Sequence, residues 1–239
     1  MKTLVLSSSA LGEKVYSSLS SLGFEVLTMP PYHRLQEGVS SHPDMLIFPY
    51  GNKYVTSREY DSIAKNVFNK INSLGYTPIL TYEVPEENYP FDVLFNALTL
   101  GNKIFCSEKA LSKKVKEIAI ESGLEIINVR QGYTKCSVCK ISENAIITAD
   151  GGIAETAKKY GVDVLEISEG HVQLDGYNTG FIGGASGMFD DAIYFCGDVM
   201  SHPDGEKIAK FCQKHNKRCI CLSNEPLFDV GTLFFLPKV

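Results

Sequence analysis

The amino-acid sequence predicts an α/β fold in which a strand, a turn, a second strand, a helix and a third strand recur about five times. Three observations lead to this prediction. Several predicted helices end at a glycine followed by a β-branched strand. A hairpin signal precedes most of the helices. The chain also ends in an apolar run that has no partner next to it in the sequence, which suggests closure into a ring.

The helix ends are the most regular feature of the repeat. Glycine adopts the left-handed conformation that stops a helix without a Cβ clash, and an apolar, β-branched run follows each time. In the fifth copy an asparagine, the next most tolerant residue, takes the place of glycine. The five positions are Gly23, Gly75, Gly123, Gly161 and Asn216.

A short apolar strand precedes each helix, and four of these strands follow a turn and another apolar run. Asn, Gly or Asp between two apolar runs is typical of a hairpin. The strands before the helices are predicted at residues 3–6, 53–55, 103–106, 145–148 and 192–196. The leading strands of the last four units are predicted at residues 45–48, 93–95, 137–141 and 181–183.

The first unit lacks a leading strand, and the apolar run at residues 232–236 lacks a partner. Pairing this run beside the strand at 3–6 would complete the first unit and remove two sheet edges. No linker or charge block interrupts the repeats, so we expect one domain over residues 1–239. The alternative is a doubly wound parallel sheet, typical of nucleotide-binding proteins, but that fold needs no hairpin before each helix.

The composition is that of a globular protein, with 44% hydrophobic and 21% charged residues. A net charge of −5 without any Lys/Arg-rich run argues against nucleic acid or an anionic membrane as partner. No run approaches the roughly 18 apolar residues that a membrane span needs. Seven cysteines, without a secretory signal, are expected to be reduced thiols of a cytoplasmic protein. We expect a small-molecule partner and no cofactor, and the sequence leaves the oligomeric state open.

Two segments add a family resemblance to this repeat pattern: GYTKCSVC at 132–139 and GHVQLDGYNTGFIGGASG at 170–187. Together they make the whole chain resemble the pentein superfamily, the guanidino-group modifying enzyme fold, and look like a bacterial branch distinct from its named enzymes. The resemblance implies a five-bladed α/β propeller of ββαβ units around a pseudo-fivefold axis.

The resemblance also implies an activity on arginine-like substrates through a Cys nucleophile, a His and acidic residues that hold the guanidinium. In the family this Cys typically lies in the last unit after a glycine-rich stretch. The corresponding residues 227–236 read LFDVGTLFFL and contain no cysteine. Penteins without enzymatic activity exist, notably the ribosome anti-association factors.

In a radial repeat, the residues that open the first strand of each unit are expected to face the central axis. They are Asp44, Asp92, Cys136, Gly180 and Asp229, and His42 lies two residues before the first of them. Converging carboxylates would suit a cationic guanidinium or amine, because they supply both charge and planar pairing geometry. The alternative is that these aspartates cap the starts of strands and face solvent.

Cys136 and Cys139 form a C-x-x-C pair, for which redox or zinc chemistry is one interpretation. Residues i and i+3 of a strand point to opposite faces, so we expect no shared metal. Cys139 shares a face with Ile141 and is expected in the core. Cys136 is therefore the candidate nucleophile, and the fastest-reacting thiol if it lies in an open axial channel. The other five cysteines are expected to be buried structural thiols.

His171 and Asp175 lie in a polar, glycine-flanked loop, which is typical of the rim of a site. Imidazole titrates near neutral pH, so His171 is a candidate general base and Asp175 a further substrate-binding acid. The alternative for His171 is a solvated loop histidine. The glycine-rich stretch 180–187 is not expected to bind phosphate, because it leads into a strand and not into a helix.

The leading hypothesis is a pentein-like protein whose polar axial pocket binds a small guanidino or amine compound, with hydrolysis or amidino transfer through Cys136 as the associated reaction. One alternative is a non-catalytic binding module of the same fold. The other is a doubly wound nucleotide-binding protein.

Overall fold

Five small three-stranded sheets of one topology make up the computed structural model, which describes residues 2–239. In each sheet the middle strand pairs antiparallel with its leading strand and parallel with the strand that follows the helix. The sheets stand as separate blades and are not joined into a barrel. The repeated ββαβ unit and the five-bladed α/β propeller are therefore confirmed.

The bounds of the elements follow in chain order. The strands are β1 (Leu4–Ser8), β2 (Glu25–Met29), β3 (Phe48–Tyr50), β4 (Lys53–Ser57), β5 (Thr77–Thr81), β6 (Leu98–Leu100), β7 (Lys103–Cys106), β8 (Glu125–Asn128), β9 (Val138–Ser142), β10 (Ala145–Thr148), β11 (Asp163–Glu166), β12 (Ser186–Phe189), β13 (Ala192–Phe195), β14 (Arg218–Cys221) and β15 (Phe234–Leu236). The α-helices are α1 (Glu13–Ser21), α2 (Pro43–Leu46), α3 (Arg58–Ile63), α4 (Lys65–Ser73), α5 (Lys113–Glu121), α6 (Gly151–Lys159) and α7 (Gly205–Lys214).

The first blade joins the two ends of the described chain. Its strand order is β15-β1-β2, and β15 runs antiparallel to β1 with Leu4 opposite Leu236 and Leu6 opposite Phe234. The β1 residues of this ladder are fully buried, so the pairing also covers apolar side chains that an open edge would expose. The predicted closure of the ring by the C-terminal strand is confirmed.

The predicted helix stops are confirmed as well. The four glycines and the asparagine that follow the main helices all have positive φ, from +57° at Asn216 to +101° at Gly75. This conformation is the left-handed one that ends a helix and turns the chain into the next strand.

Three of the predicted leading strands are misplaced. Of residues 45–48, the first two lie in α2 and only the last lies in β3. Residues 93–95 begin at the end of the 3-10 turn Phe91–Val93, and residues 181–183 precede β12 without belonging to a strand. Pro43 opens α2, a position where proline is favoured, and the apolar side chains of α2 are buried without strand pairing. The observed leading strands instead abut their hairpin turns, as β3 does before Gly51. The fourth, β9, lies within a residue of its prediction.

This shift changes where the axial candidates lie. Asp44 is in α2 and Asp92 is in the 3-10 turn, so both lie in short helical segments that lead into the strands. No helix within residues 2–239 has the length and apolar character that crossing a membrane requires.

Candidate functional site

Four of the predicted polar residues come together in the interior: His42, Asp44, Cys136 and Asp229, called the acidic cluster below. Each is at most 3% exposed to solvent. They come from three different blades. The segment before β15 lies against the segment before β3, and the segment that carries Cys136 precedes β9 and contacts Asp44 through Asn96.

The closing segment before β15 holds His42 and Asp44 in place. The backbone N–H of Asp44 donates to the carbonyl of Gly231 at 3.2 Å. Gly231 has φ +68°, and a Cβ there would overlap the side chain of His42. Thr232 donates its hydroxyl hydrogen to Asp44 Oδ2 at 2.7 Å. The same C-terminal segment therefore closes the ring and completes the cluster.

Asp229 is held by backbone N–H groups. Its two carboxylate oxygens accept hydrogen bonds from Phe181 N at 2.8 Å and Gly231 N at 2.9 Å. A Cβ on Gly180 would lie 2.6 Å from the Cβ of Asp229, and a Cβ on Gly184 would overlap its carboxylate. The glycine-rich stretch thus makes room for a buried aspartate.

Asn96 is a member of the site that the sequence did not indicate. Its Nδ2 donates to Cys136 Sγ at 2.9 Å and to the carbonyl of Asp44 at 3.1 Å. Its Oδ1 accepts from the backbone N–H groups of Lys135 at 2.7 Å and Cys136 at 3.3 Å. The only sequence signal was one asparagine inside the apolar run 93–100.

Burial dominates the electrostatics of the acidic cluster. It raises the pKa of Asp44, and it raises the pKa of Asp229 to about 6. The pKa of the Cys136 thiol lies well above its ordinary value because of burial, and then because of the two nearby carboxylates. Burial also lowers the pKa of His42, although His42 Nδ1 lies 3.7 Å from Asp229 Oδ1. At neutral pH the thiol is protonated and the imidazole is neutral.

Three buried polar atoms at this site have no hydrogen-bond partner among residues 2–239: His42 Nε2, Asp44 Oδ1 and Asp92 Oδ1. Buried polar atoms are nearly always paired in folded proteins. Two of the three are carboxylate oxygens, which require donors. The two carboxylate oxygens therefore have no hydrogen-bond donor within the described part of the chain.

Asp92 lies beside a group of aromatic rings, called the aromatic rim below: Tyr89, Tyr133, Tyr177 and Phe181. The Tyr133 hydroxyl donates to the Asp92 carboxylate, and the Tyr133 ring stacks on Phe181 with centroids 5.9 Å apart. Asp92 raises the pKa of both Tyr133 and Tyr177, after burial. Because the Phe181 backbone also donates to Asp229, the rim connects Asp92 to the acidic cluster.

The structure corrects the expectation of an open channel at Cys136, since this thiol is 3% exposed. The expectation of five further buried thiols is wrong for Cys221, which is exposed at the end of β14, and for Cys219, which is only partly buried. Cys139 lies in the core of β9, as expected. No group of three or more His, Cys, Asp or Glu side chains within the described chain is placed to hold a metal ion.

His171 and Asp175 lie outside the acidic cluster. The exposed His171 packs its ring against His202, with centroids 5.2 Å apart, and lines a separate cavity of about 120 Å³. Asp175 is also exposed, and its backbone carbonyl faces Gly38. Neither side chain makes a hydrogen bond to the cluster within residues 2–239, so the polar loop forms a different part of the surface.

Solved structures of guanidino-group modifying enzymes share this fold. DDAH from Pseudomonas aeruginosa, complexed with citrulline, superposes with a TM-score of 0.59 at 11% identity over 94% of this chain and 93% of its own. C. jejuni agmatine deiminase with substrate bound gives a TM-score of 0.60 at 12% identity over 100% and 94%. An amidinotransferase of the saxitoxin pathway from Microseira wollei gives 0.58 at 12% identity over 93% and 78%.

These structures are members of the pentein superfamily, so the predicted resemblance is confirmed and the fold is of the pentein type. Identities this low establish the fold alone. No curated protein sequence matches the chain. The model of a family of unknown function, DUF6873, matches residues 6–234, and the chain belongs to this family.

Proposed function

We propose that this protein is a pentein-fold binding module that holds a small organic cation, an amine or guanidino compound, between the acidic cluster and the aromatic rim. The observation that carries the proposal is the pair of buried carboxylate oxygens, Asp44 Oδ1 and Asp92 Oδ1, without donors in the described chain. An ammonium or guanidinium group offers several N–H donors and the opposite charge.

The surroundings of the two carboxylates support a cation over a neutral ligand. Asp229 adds a third carboxylate to the site, and the Tyr133 and Phe181 rings add aromatic faces that attract cations. Both rings are only partly buried, so we place the entrance of the ligand between them and expect them to separate when it binds.

Binding without covalent chemistry is the better-supported function because a thiol must ionise before it can attack. Burial and the carboxylates of Asp44 and Asp229 hold the pKa of Cys136 well above its ordinary value. The closing segment, where the family's nucleophile typically lies, has no cysteine.

Catalysis through Cys136 is the second candidate, and one contact favours it. The Asn96 Nδ2 hydrogen bond to Cys136 Sγ would stabilise a thiolate. A bound cation would also neutralise the carboxylates and thereby lower the thiol pKa. In that case His171 would have to reach the thiol from its exposed loop.

Calorimetric titration of the purified protein tests the binding proposal. We expect agmatine and arginine to bind, and citrulline, whose side chain is uncharged, to bind more weakly. Asp44→Asn should weaken agmatine binding roughly tenfold or more, because hydrogen bonds to charged groups contribute about 1.5–3 kcal/mol. Asp175→Asn, which removes an exposed carboxylate, should leave the affinity unchanged. Equal affinity in the wild type and Asp44→Asn would refute the proposal.

A turnover assay separates the two candidate functions. The protein is incubated with agmatine or arginine, and released ammonia and urea are measured. We expect neither product to accumulate. Product release that Cys136→Ala abolishes would show that the second candidate is correct.

A further inference from the structure

A cavity of about 200 Å³ lies where the leading strands of the five blades converge, and it is called the axial cavity below. Each of the strands β3, β6, β9, β12 and β15 contributes to its wall. About 10–15 Å³ suffices for one water molecule, so the axial cavity has room for a small ligand. Its lining does not include the carboxylates of the acidic cluster.

The polar residues that line the axial cavity are basic or carry a hydroxyl group. Two lysines, Lys135 and Lys140, line it together with the hydroxyl-bearing residues Thr99, Ser186 and Thr232. None of the described residues in its wall is acidic. Lys140 also donates to the carbonyl of Thr99 at 3.0 Å and pairs with the largely exposed Glu143 at 2.7 Å.

Lys135 has hydrogen-bonding capacity left over. Its Nζ donates to Thr232 Oγ1 at 3.1 Å, and the Thr232 hydroxyl in turn donates to Asp44 Oδ2 at 2.7 Å. The ammonium group has three N–H donors, and this is the one hydrogen bond of Nζ within residues 2–239. Burial lowers the pKa of Lys135, and the nearby Asp44 only partly opposes this effect. A partly desolvated lysine with unused N–H donors therefore lines the cavity.

We propose that the axial cavity is a binding site for a small oxyanion, a carboxylate or a phosphate. Lys135 Nζ and the neighbouring hydroxyl groups donate hydrogen bonds to its oxygens. Charge-assisted hydrogen bonds of this kind are among the strongest in proteins. This site differs from the proposed cation site in the charge of its ligand and in its lining residues. Lys135 and Asp44 lie at opposite ends of one run of hydrogen bonds through Thr232, and the anion would bind at the Lys135 end.

The first test is calorimetric titration with sodium phosphate and, separately, sodium acetate at constant ionic strength, without any organic cation. We expect binding by the wild type and at least tenfold weaker binding by Lys135→Met, which keeps the length of the side chain and removes its charge. Lys53→Met removes an exposed lysine at the start of β4 and should bind like the wild type. Phosphate binding without acetate binding would identify phosphate as the ligand class, and the reverse result a carboxylate.

A second measurement uses the wild type alone and so does not depend on the folding of a variant. Reductive methylation of lysines is followed by mass spectrometry with and without the bound anion. We expect the anion to slow methylation of Lys135 several-fold and to leave Lys53 unaffected. Equal methylation of Lys135 under both conditions, or equal anion affinity in Lys135→Met, would overturn the proposal whatever the outcome of the agmatine titrations.

Discussion

Raising the pH should cost the folded protein about 3 kcal/mol through one carboxyl group, that of Asp229. Burial raises its pKa from 3.8 to about 6, so the folded state binds its proton more tightly than the unfolded state does. This contribution to stability is fully present below about pH 4 and is lost as the pH rises through 6. Each unit of pKa difference corresponds to about 1.4 kcal/mol, which gives the total.

The assay is urea unfolding of the wild type and of Asp229→Asn at pH 4 and pH 7.5. The variant loses one acceptor for the N–H groups of Phe181 and Gly231, but this loss applies at both pH values. Other groups, including the buried His42, titrate in both proteins. At pH 4 the carboxyl group is already partly ionised in the unfolded state, so the change in unfolding free energy between the two pH values should be about 2.4 kcal/mol less favourable in the wild type. If the unfolding free energy of both proteins changed equally between the two pH values, the pKa of Asp229 would not be raised in the folded state. The description of the acidic cluster as buried would then be wrong.

Three further predictions follow from the fold and the acidic cluster. Deletion of residues 231–239 removes β15 and should abolish cooperative thermal unfolding, so a truncated protein with the wild-type melting temperature would contradict closure of the ring. Gly184→Ala should lower the unfolding free energy by roughly 1–3 kcal/mol, because its Cβ would overlap the Asp229 carboxylate. Gly12→Ala, where a Cβ meets open space, is the matched control, and equal stability of the two variants would count against the packing. Cys221 should alkylate faster than Cys136 in mass-spectrometric mapping because Cys221 is exposed, and comparable rates would mean that the cluster opens to solvent.

The sequence predicted those parts of the fold that depend on local signals. Glycine at a helix stop and Gly-Asn, Glu-Asn or Asp-Asp turns between apolar runs act within a few residues, so the helix ends and the hairpin turns were predicted correctly. The leading strands of three blades were misplaced because an apolar run such as residues 45–48 is compatible with either a buried strand or a buried short helix. In the second blade the residues that pair with β4 are those directly before the turn at Gly51, which form β3.

The candidate site was predictable only as far as the repeat could place it. Equivalent positions in successive units approach one another, which is how Asp44, Cys136 and Asp229 were singled out together. Asn96 was missed because its partner, Cys136, lies 40 residues away and no local pattern connects them. The Lys135 contact with Thr232 spans 97 residues and was missed for the same reason. Asp175 was included from loop composition, which carries no information about what a loop packs against.

The pairing of β15 with β1 also bears on how the protein is made. During synthesis β1 is made well before β15, so the first blade stays incomplete until β15 has left the ribosome. The same segment carries Asp229, Gly231 and Thr232 into the acidic cluster. Closure of the first blade and assembly of the acidic cluster therefore depend on the same segment, so neither can form before that segment has been synthesised.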